Sequence, residues 1–188
     1  MRSLRRPIAA VVCGLILGAC GFPTEDSSSP IAAEERPDLE PRTTDTATND
    51  TEELTVWFIR DDALVQRSRE VPAPLDAQRV IESLGVGVTT EEADGGLRSA
   101  IPDTSMLTAA TLSGGTATVQ LAQEFLDIAP GDQVLALGQV VMTLTDLRGV
   151  GRVRFEIDGE AVATPLPDGT STEDSVSREE FRSLATAG

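Results

Sequence analysis

From Leu54 onward, apolar residues recur at strand and helix spacings; across residues 21–53 they do not. The segment GFPTEDSSSPIAAEERPDLEPRTTDTATNDTEE holds four prolines, ten acids and two arginines. So few clustered apolar side chains cannot offset the entropy of ordering a backbone. It reads as a disordered, acidic tether whose reach as a flexible coil is on the order of 30 Å. Any packed core must come from the remaining stretch of about 135 residues, a length that suits one domain.

Ahead of the tether stands MRSLRRPIAAVVCGLILGAC. Arg2, Arg5 and Arg6 make a positive start, and Ile8 to Leu17 is an apolar run broken only by Gly14. That run is half the length of roughly twenty residues that a spanning helix needs. A basic start, a short apolar stretch and small residues before a cysteine describe a secretory signal over residues 1–19. Leu17-Gly18-Ala19-Cys20 is similar to a bacterial lipobox. There cleavage precedes the cysteine, whose thiol attacks to form a thioether to diacylglycerol, with palmitate as a typical acyl chain. Cys20 is therefore the expected lipidation site, and residues 20–53 the lipidated N-terminus and linker.

This assignment decides the cysteine chemistry. Cys13 leaves with the signal and Cys20 carries lipid, so the mature chain keeps no thiol for a disulfide. Fifteen arginines face 31 acids, for a formal net charge of −16, and the signal takes three of those arginines with it. Such a surface repels nucleic acid and anionic headgroups. The expected membrane partner is reached through the anchor at Cys20, on the extracytoplasmic face. Beyond it, the partner is an unknown envelope protein or peptidoglycan.

Within the domain at 54–188, LTVWFI (54–59) reads as an internal strand, and LVQRSREV (64–71) as a second one across Asp61-Asp62. After Pro72 and Pro74, residues Ala77, Val80, Ile81 and Leu84 share one helical face. Asp76 is placed to cap that helix, with Gly85 or Gly87 to stop it. Residues 88–99 read as a loop. Met106–Leu112 and Thr116–Leu121 form a hairpin over Ser113-Gly114-Gly115. In GDQVLALGQVVMTLTDLRG, Asp132 is the expected cap, Gly149 the expected end and Arg148 the cation at the C-terminal dipole. Its core face comprises Val134, Leu137, Val141 and Leu144, widened by Leu135, Val140, Met142 and Leu147. Val153, Phe155 and Ile157 alternate with Arg152, Arg154 and Glu156 before an Asp158-Gly159 turn. Ser177 and Glu180 make a capping box for a short last helix carrying Phe181 and Leu184. The order β-β-α-β-β-α-β-β predicts an α+β two-layer sandwich: a mixed or antiparallel sheet with two main helices on one face.

For catalysis the residue inventory is thin. There is no histidine, lysine or tyrosine, so the usual general bases and activated nucleophiles are missing. Asp61 with Asp62, or Glu124 with Asp127, could be imagined as a glycosidase couple; they read first as turn formers and solvated loop acids. Glu91-Glu92-Ala93-Asp94 is carboxylate-rich without EF-hand spacing. Gly85-Val86-Gly87 suits a helix end better than a phosphate cradle. Trp57, the only tryptophan, is expected in the core. No catalytic residue, metal ligand or cofactor is assigned.

VWFIRDDALVQRSREV, GGLRSAIPDTSML, GTATVQLAQEF and QVVMTLTDLRGVGRVRFEIDGE resemble, in that order, the successive blocks of the GerMN domain of sporulation and spore germination proteins. The likeness covers residues 54–162. Its most specific parts are Gly96 to Pro102 and the Gln139-Val-Val-x-Thr-Leu-Thr helix with the Gly149-Val-x-x-Val that follows. The chain departs from the family pattern at Val119-Gln120-Leu121-Ala122, where many members have Val-Asp-Leu-Ser, and at Gly87-Val88, where many have Gly-Pro. The resemblance implies a fold of ring-building type and an extracytoplasmic lipoprotein module with no catalytic groups. The expected function is thus a non-catalytic, lipid-anchored interaction module in cell-envelope or transenvelope assembly. A carboxylate-dependent cell-wall hydrolase or glycan-binding lipoprotein is the alternative.

Overall fold

The computed structural model describes residues 50–186, which fall within the compact unit Asp45–Gly188. The signal segment, Cys20 and the linker up to residue 49 lie outside the described residues.

Strands β1 (Thr51–Arg60) and β2 (Ala63–Pro72) form an antiparallel hairpin. Asp61 and Asp62 both take positive φ, at 52° and 59°, the backbone of a two-residue turn whose twist matches the strands. Pairing runs back to Thr51 opposite Pro72. Residues 51–53, placed in the linker by composition, thus belong to the first strand. Their side chains are exposed; what orders them is the β2 backbone, a partner that composition does not register.

Helix α1 (Ala77–Gly85) starts as expected, with Asp76 accepting the Arg79 N–H at 2.8 Å. It buries Ala77, Val80, Ile81 and Leu84. The segment read as a loop contains a further short helix, α2 (Thr90–Asp94), closed by a capping box of Thr89 and Glu92. It buries none of its residues, so apolar spacing could not reveal it. Strands β3 (Leu107–Ser113) and β4 (Thr116–Leu121) pair antiparallel over Gly114-Gly115, both at positive φ.

Helix α3 (Pro130–Leu144) departs from expectation at both ends. It starts three residues earlier, with Ala129 and not Asp132 at the cap position, because Pro130 at the first helical position needs no N–H partner and has its φ already set. Asp132 therefore lies inside the first turn, where its charge still favours the dipole, and it is not the cap. The helix stops at Leu144 with Thr145 as C-cap, well short of Gly149. Arg148 is exposed beyond the end. The cation at the C-terminus is Arg178, whose Nη2 donates to the Met142 carbonyl at 3.0 Å.

Every residue from Leu135 to Leu144 is buried, the mark of a helix covered on all sides. On one side α3 meets β5 (Arg152–Ile157), which runs parallel to β4, so that β4-α3-β5 is a crossover unit. β6 (Glu160–Ala161) completes a mixed sheet in the order β3-β4-β5-β6. Its apolar face presents Ala110, Ala117, Val119, Val153 and Phe155 to the core. The other face shows cross-strand rows Ser113–Thr116–Arg152, Thr111–Thr118–Arg154 and Ala109–Gln120–Glu156. The fold is α+β with α1 and α3 packed on this sheet, while β1 and β2 form a separate two-stranded sheet against α3.

The C-terminal stretch closes the domain. β7 (Thr164–Pro165) pairs with β8 (Ser171–Thr172), and Val176 bridges Val153 on β5. Helix α4 (Arg178–Phe181) has the predicted capping box of Ser177 and Glu180. Phe181 is fully buried, worth about 1.5–3 kcal/mol of apolar burial. Ala185 then bridges Leu64, and the Thr186 N–H donates to the Leu64 carbonyl at 3.1 Å.

Candidate functional site

The two most distinctive sequence blocks meet in the core. Gln139 and Thr143, one turn apart on α3, are both 0% exposed. The Gln139 Oε1 accepts the Ala100 N–H at 2.6 Å, and its Nε2 donates to the Trp57 carbonyl at 3.0 Å. The Trp57 N–H donates to Thr143 Oγ1 at 3.1 Å, and that hydroxyl donates to the Gln139 carbonyl at 2.7 Å. Every polar atom in this knot has a partner, so it positions β1, α3 and the 96–102 segment without offering a reactive group.

Trp57 is buried as expected. Its Nε1–H donates to Asp146 Oδ2 at 2.8 Å, and Asp146 is also ion-paired with Arg178. The Arg178 guanidinium lies over the indole, 5.7 Å from its centroid. Asp146, unremarked in the sequence, thus joins β1, the end of α3 and α4. Its only signal was its place just after the apolar helix.

Of the carboxylates weighed as catalytic couples, Asp62 is ion-paired, and Asp61, Glu124 and Asp127 are exposed. Asp62 pairs with Arg98 at 3.0 Å, and the second guanidinium nitrogen of Arg98 pairs with Asp132 at 3.0 Å. Glu124 and Asp127 are exposed on a 3-10 turn spanning Gln123–Asp127. Glu91 and Asp94 are exposed, while Glu92 pairs with Arg69. Burial pushes the Glu92 pKa up, but the Thr89 N–H, the Arg69 guanidinium and the Thr89 hydroxyl outweigh it and the net shift is down. Glu180 likewise moves down overall: burial raises it and the Ser177 hydroxyl and N–H lower it further. Asp103 is lowered by the Ser105 N–H, and Asp168 by Thr170. A general acid needs its pKa raised, and these shifts run the other way. Among the described residues, no three acidic, histidine or cysteine side chains are grouped to hold a metal ion. Gly87 has φ +73° just past the end of α1, a helix-stop conformation.

On the surface, the strand edges are treated unequally. The outer edge of β1 is closed by Thr143 and Gln139 at Trp57, and by paired backbone bonds of 2.9 and 2.8 Å between Ile59 and Arg98. β2 is closed at Leu64 by Thr186, and β5 at Val153 by Val176. On β3 the Ala110 N–H is taken by Gln78 Oε1 at 2.8 Å. By alternation, the N–H and C=O of Leu112 point away from β4 on that same edge, and among the described residues neither has a partner there. Leu112 is 44% exposed. Beside it runs a groove of about 370 Å³ lined by Leu75, Gln78, Leu147 and Arg148. Among the described residues, no helix is long and apolar enough to cross a membrane.

A family model described as Sporulation and spore germination (Germane) matches residues 55–163. The tandem GerMN domains of the sporulation protein GerM from Bacillus subtilis superpose with a TM-score of 0.57 at 21% identity. That alignment covers 69% of this chain and 47% of the tandem structure, so the chain spans about half of its length. The first GerMN domain of the same Bacillus subtilis protein gives a TM-score of 0.53 at 23% identity, over 69% of this chain and 99% of that one. A search of curated proteins finds no match.

Proposed function

The chain belongs to the Germane family of sporulation and spore germination domains, and on that premise we propose that it is a non-catalytic interaction module. In this proposal it is anchored through lipid at Cys20 to the outer face of the cytoplasmic membrane. There it contributes to assembly or maintenance of a cell-envelope complex. The observation that carries the proposal is the fate of the two most specific sequence blocks. Residues 96–102 and 139–145 bond to each other and to β1 in the core. Residues engaged in that way define a scaffold, and a scaffold leaves function to its surfaces. The lipobox-like Leu17-Gly18-Ala19-Cys20 supports the anchor, and the strongly acidic composition favours a basic partner.

The test has two arms. Cells fed a labelled fatty acid should incorporate it into the chain but not into a Cys20→Ala variant; equal labelling of both refutes the anchor. Purified protein incubated with peptidoglycan should release no fragments. Turnover that disappears on Asp61→Asn or Glu124→Gln would establish the cell-wall hydrolase instead.

A further inference from the structure

We propose that the open edge of β3 pairs antiparallel with β3 of a second copy of this chain. An exposed strand edge is a template for pairing, and proteins ordinarily blunt it with charge, proline, a bulge or a cover. The other strand edges described above are blunted: by side chains of α3 and the Arg98 backbone on β1, by Val176 on β5, and on β2 by Thr186 at Leu64 and by the charged residues Arg67, Arg69 and Glu70 further along. β3 has the sequence LTAATLS, with neither charge nor proline. Its single irregularity lies between Leu107 and Ala109, which leaves 110–113 regular.

Charge confines any contact between two copies to an edge of this kind. Two copies of a chain at −16 repel over most of their surface, and an uncharged edge is where they can come into contact. Register argues for a second copy as the occupant. Gln78 already holds the Ala110 N–H, so the outward pair still complete on this edge is that of Leu112. A two-fold axis beside Leu112 lets each copy's Leu112 N–H donate to the other's Leu112 C=O, a self-complementary arrangement. Opposed residues project to the same face of the joined sheet. The partner's Leu112 therefore comes alongside the groove walled by Leu75 and Leu147, removing apolar surface from water on both copies.

The inference does not rest on the anchor or on a basic partner, and salt separates them. Screening relieves the repulsion between like-charged copies, so the dimer fraction of the full chain in detergent should rise several-fold between low and high salt by sedimentation. Docking to a basic partner would weaken over the same range. A chain that stays monomeric at every salt concentration overturns the proposal, as does a Leu112→Glu variant with an unchanged dimer fraction. In cells expressing the full chain, Leu112→Cys should form a disulfide-linked homodimer under mild oxidation. Opposed Cα atoms in such a pair are about 5.5 Å apart, inside the disulfide range of about 4.4–6.8 Å. Thr118→Cys, on β4, is the control: strand spacing alone puts it about 14 Å from its copy. Equal cross-linking at both positions, or a Leu112→Cys adduct only with a different protein, overturns the proposal.

Discussion

Replacing Gly138 with alanine sets two effects of similar size against each other, and the structure decides between them. Glycine within a helix is less favourable than alanine by about 1 kcal/mol, so the substitution should help α3 locally. A Cβ at 138, however, would meet Leu64 Cδ1 at 3.1 Å and Leu184 Cδ1 and Phe181 Cδ1 at 3.2 Å. Those atoms come from β2, from α4 and from the turn after it, and Leu64 and Phe181 are fully buried. Three neighbours would have to yield at once, and overpacking of this kind costs about 1–3 kcal/mol. The net expectation is a loss of up to about 2 kcal/mol. Gly131 is the internal standard: it lies in the same helix, and a Cβ there would have nothing within 4 Å, so Gly131→Ala should stabilise by about 0.4–1 kcal/mol. Urea unfolding followed by the fluorescence of Trp57, the only tryptophan, would measure both. Phe181→Ala should itself cost about 3–5 kcal/mol, yet in that background the Gly138→Ala penalty should shrink, since one of the three crowding groups has gone. If Gly138→Ala is as stable as Gly131→Ala, the C-terminal stretch does not seat on α3 as described.

Gln139→Leu should destabilise by about 2–6 kcal/mol, because it orphans the buried Ala100 N–H and Trp57 carbonyl together at about 1–3 kcal/mol each; thermal melting checks it, and a loss under about 1 kcal/mol would refute the knot. Trp57→Phe removes the bond to Asp146 while leaving the Arg178 pair, and should cost about 0.5–3 kcal/mol by the same assay. Glu92 and Glu180 have folded pKa values below their unfolded ones, so each stabilises the fold above its unfolded pKa. That contribution should fade as pH falls below about 4.3 and through the folded values. In Glu92→Gln and Glu180→Gln variants the acid limb of stability against pH should be flatter than in the parent.

Much of this fold was legible because apolar spacing reports packing directly. α1 shows all four of its predicted buried residues, and β5 alternates as its sequence does, since one side of each faces a core. Where structure is set by something other than apolar burial, spacing was silent or misled. α2 is held by a capping box with no buried residue. The first residues of β1 are ordered by backbone pairing with β2 and by a hydrogen bond from the Ser68 hydroxyl to Glu53, not by apolar burial. The end of α3 is fixed by Arg178, far beyond Leu144 in sequence, and not by the adjacent Arg148. The same limit applies to the surface. Which strand edges are covered depended on where Val176 and Thr186 return, which no local pattern encodes.

The bond between Thr186 and Leu64 spans 122 residues, and its consequence is one of timing. Contacts of long sequence separation form late, because a large loop must close before they are made. A chain made from its N-terminus presents β1 and β2 first, while the residues that cover the Leu64 edge and fill the space beside Gly138 arrive last. Until they arrive, that edge is unprotected and the closest approach on α3 is vacant. The domain should therefore reach its final state only after residue 186 has emerged. A fusion partner joined directly at that point would sit in the path of the last segment to dock, so slow maturation is expected of C-terminal fusions and not of N-terminal ones.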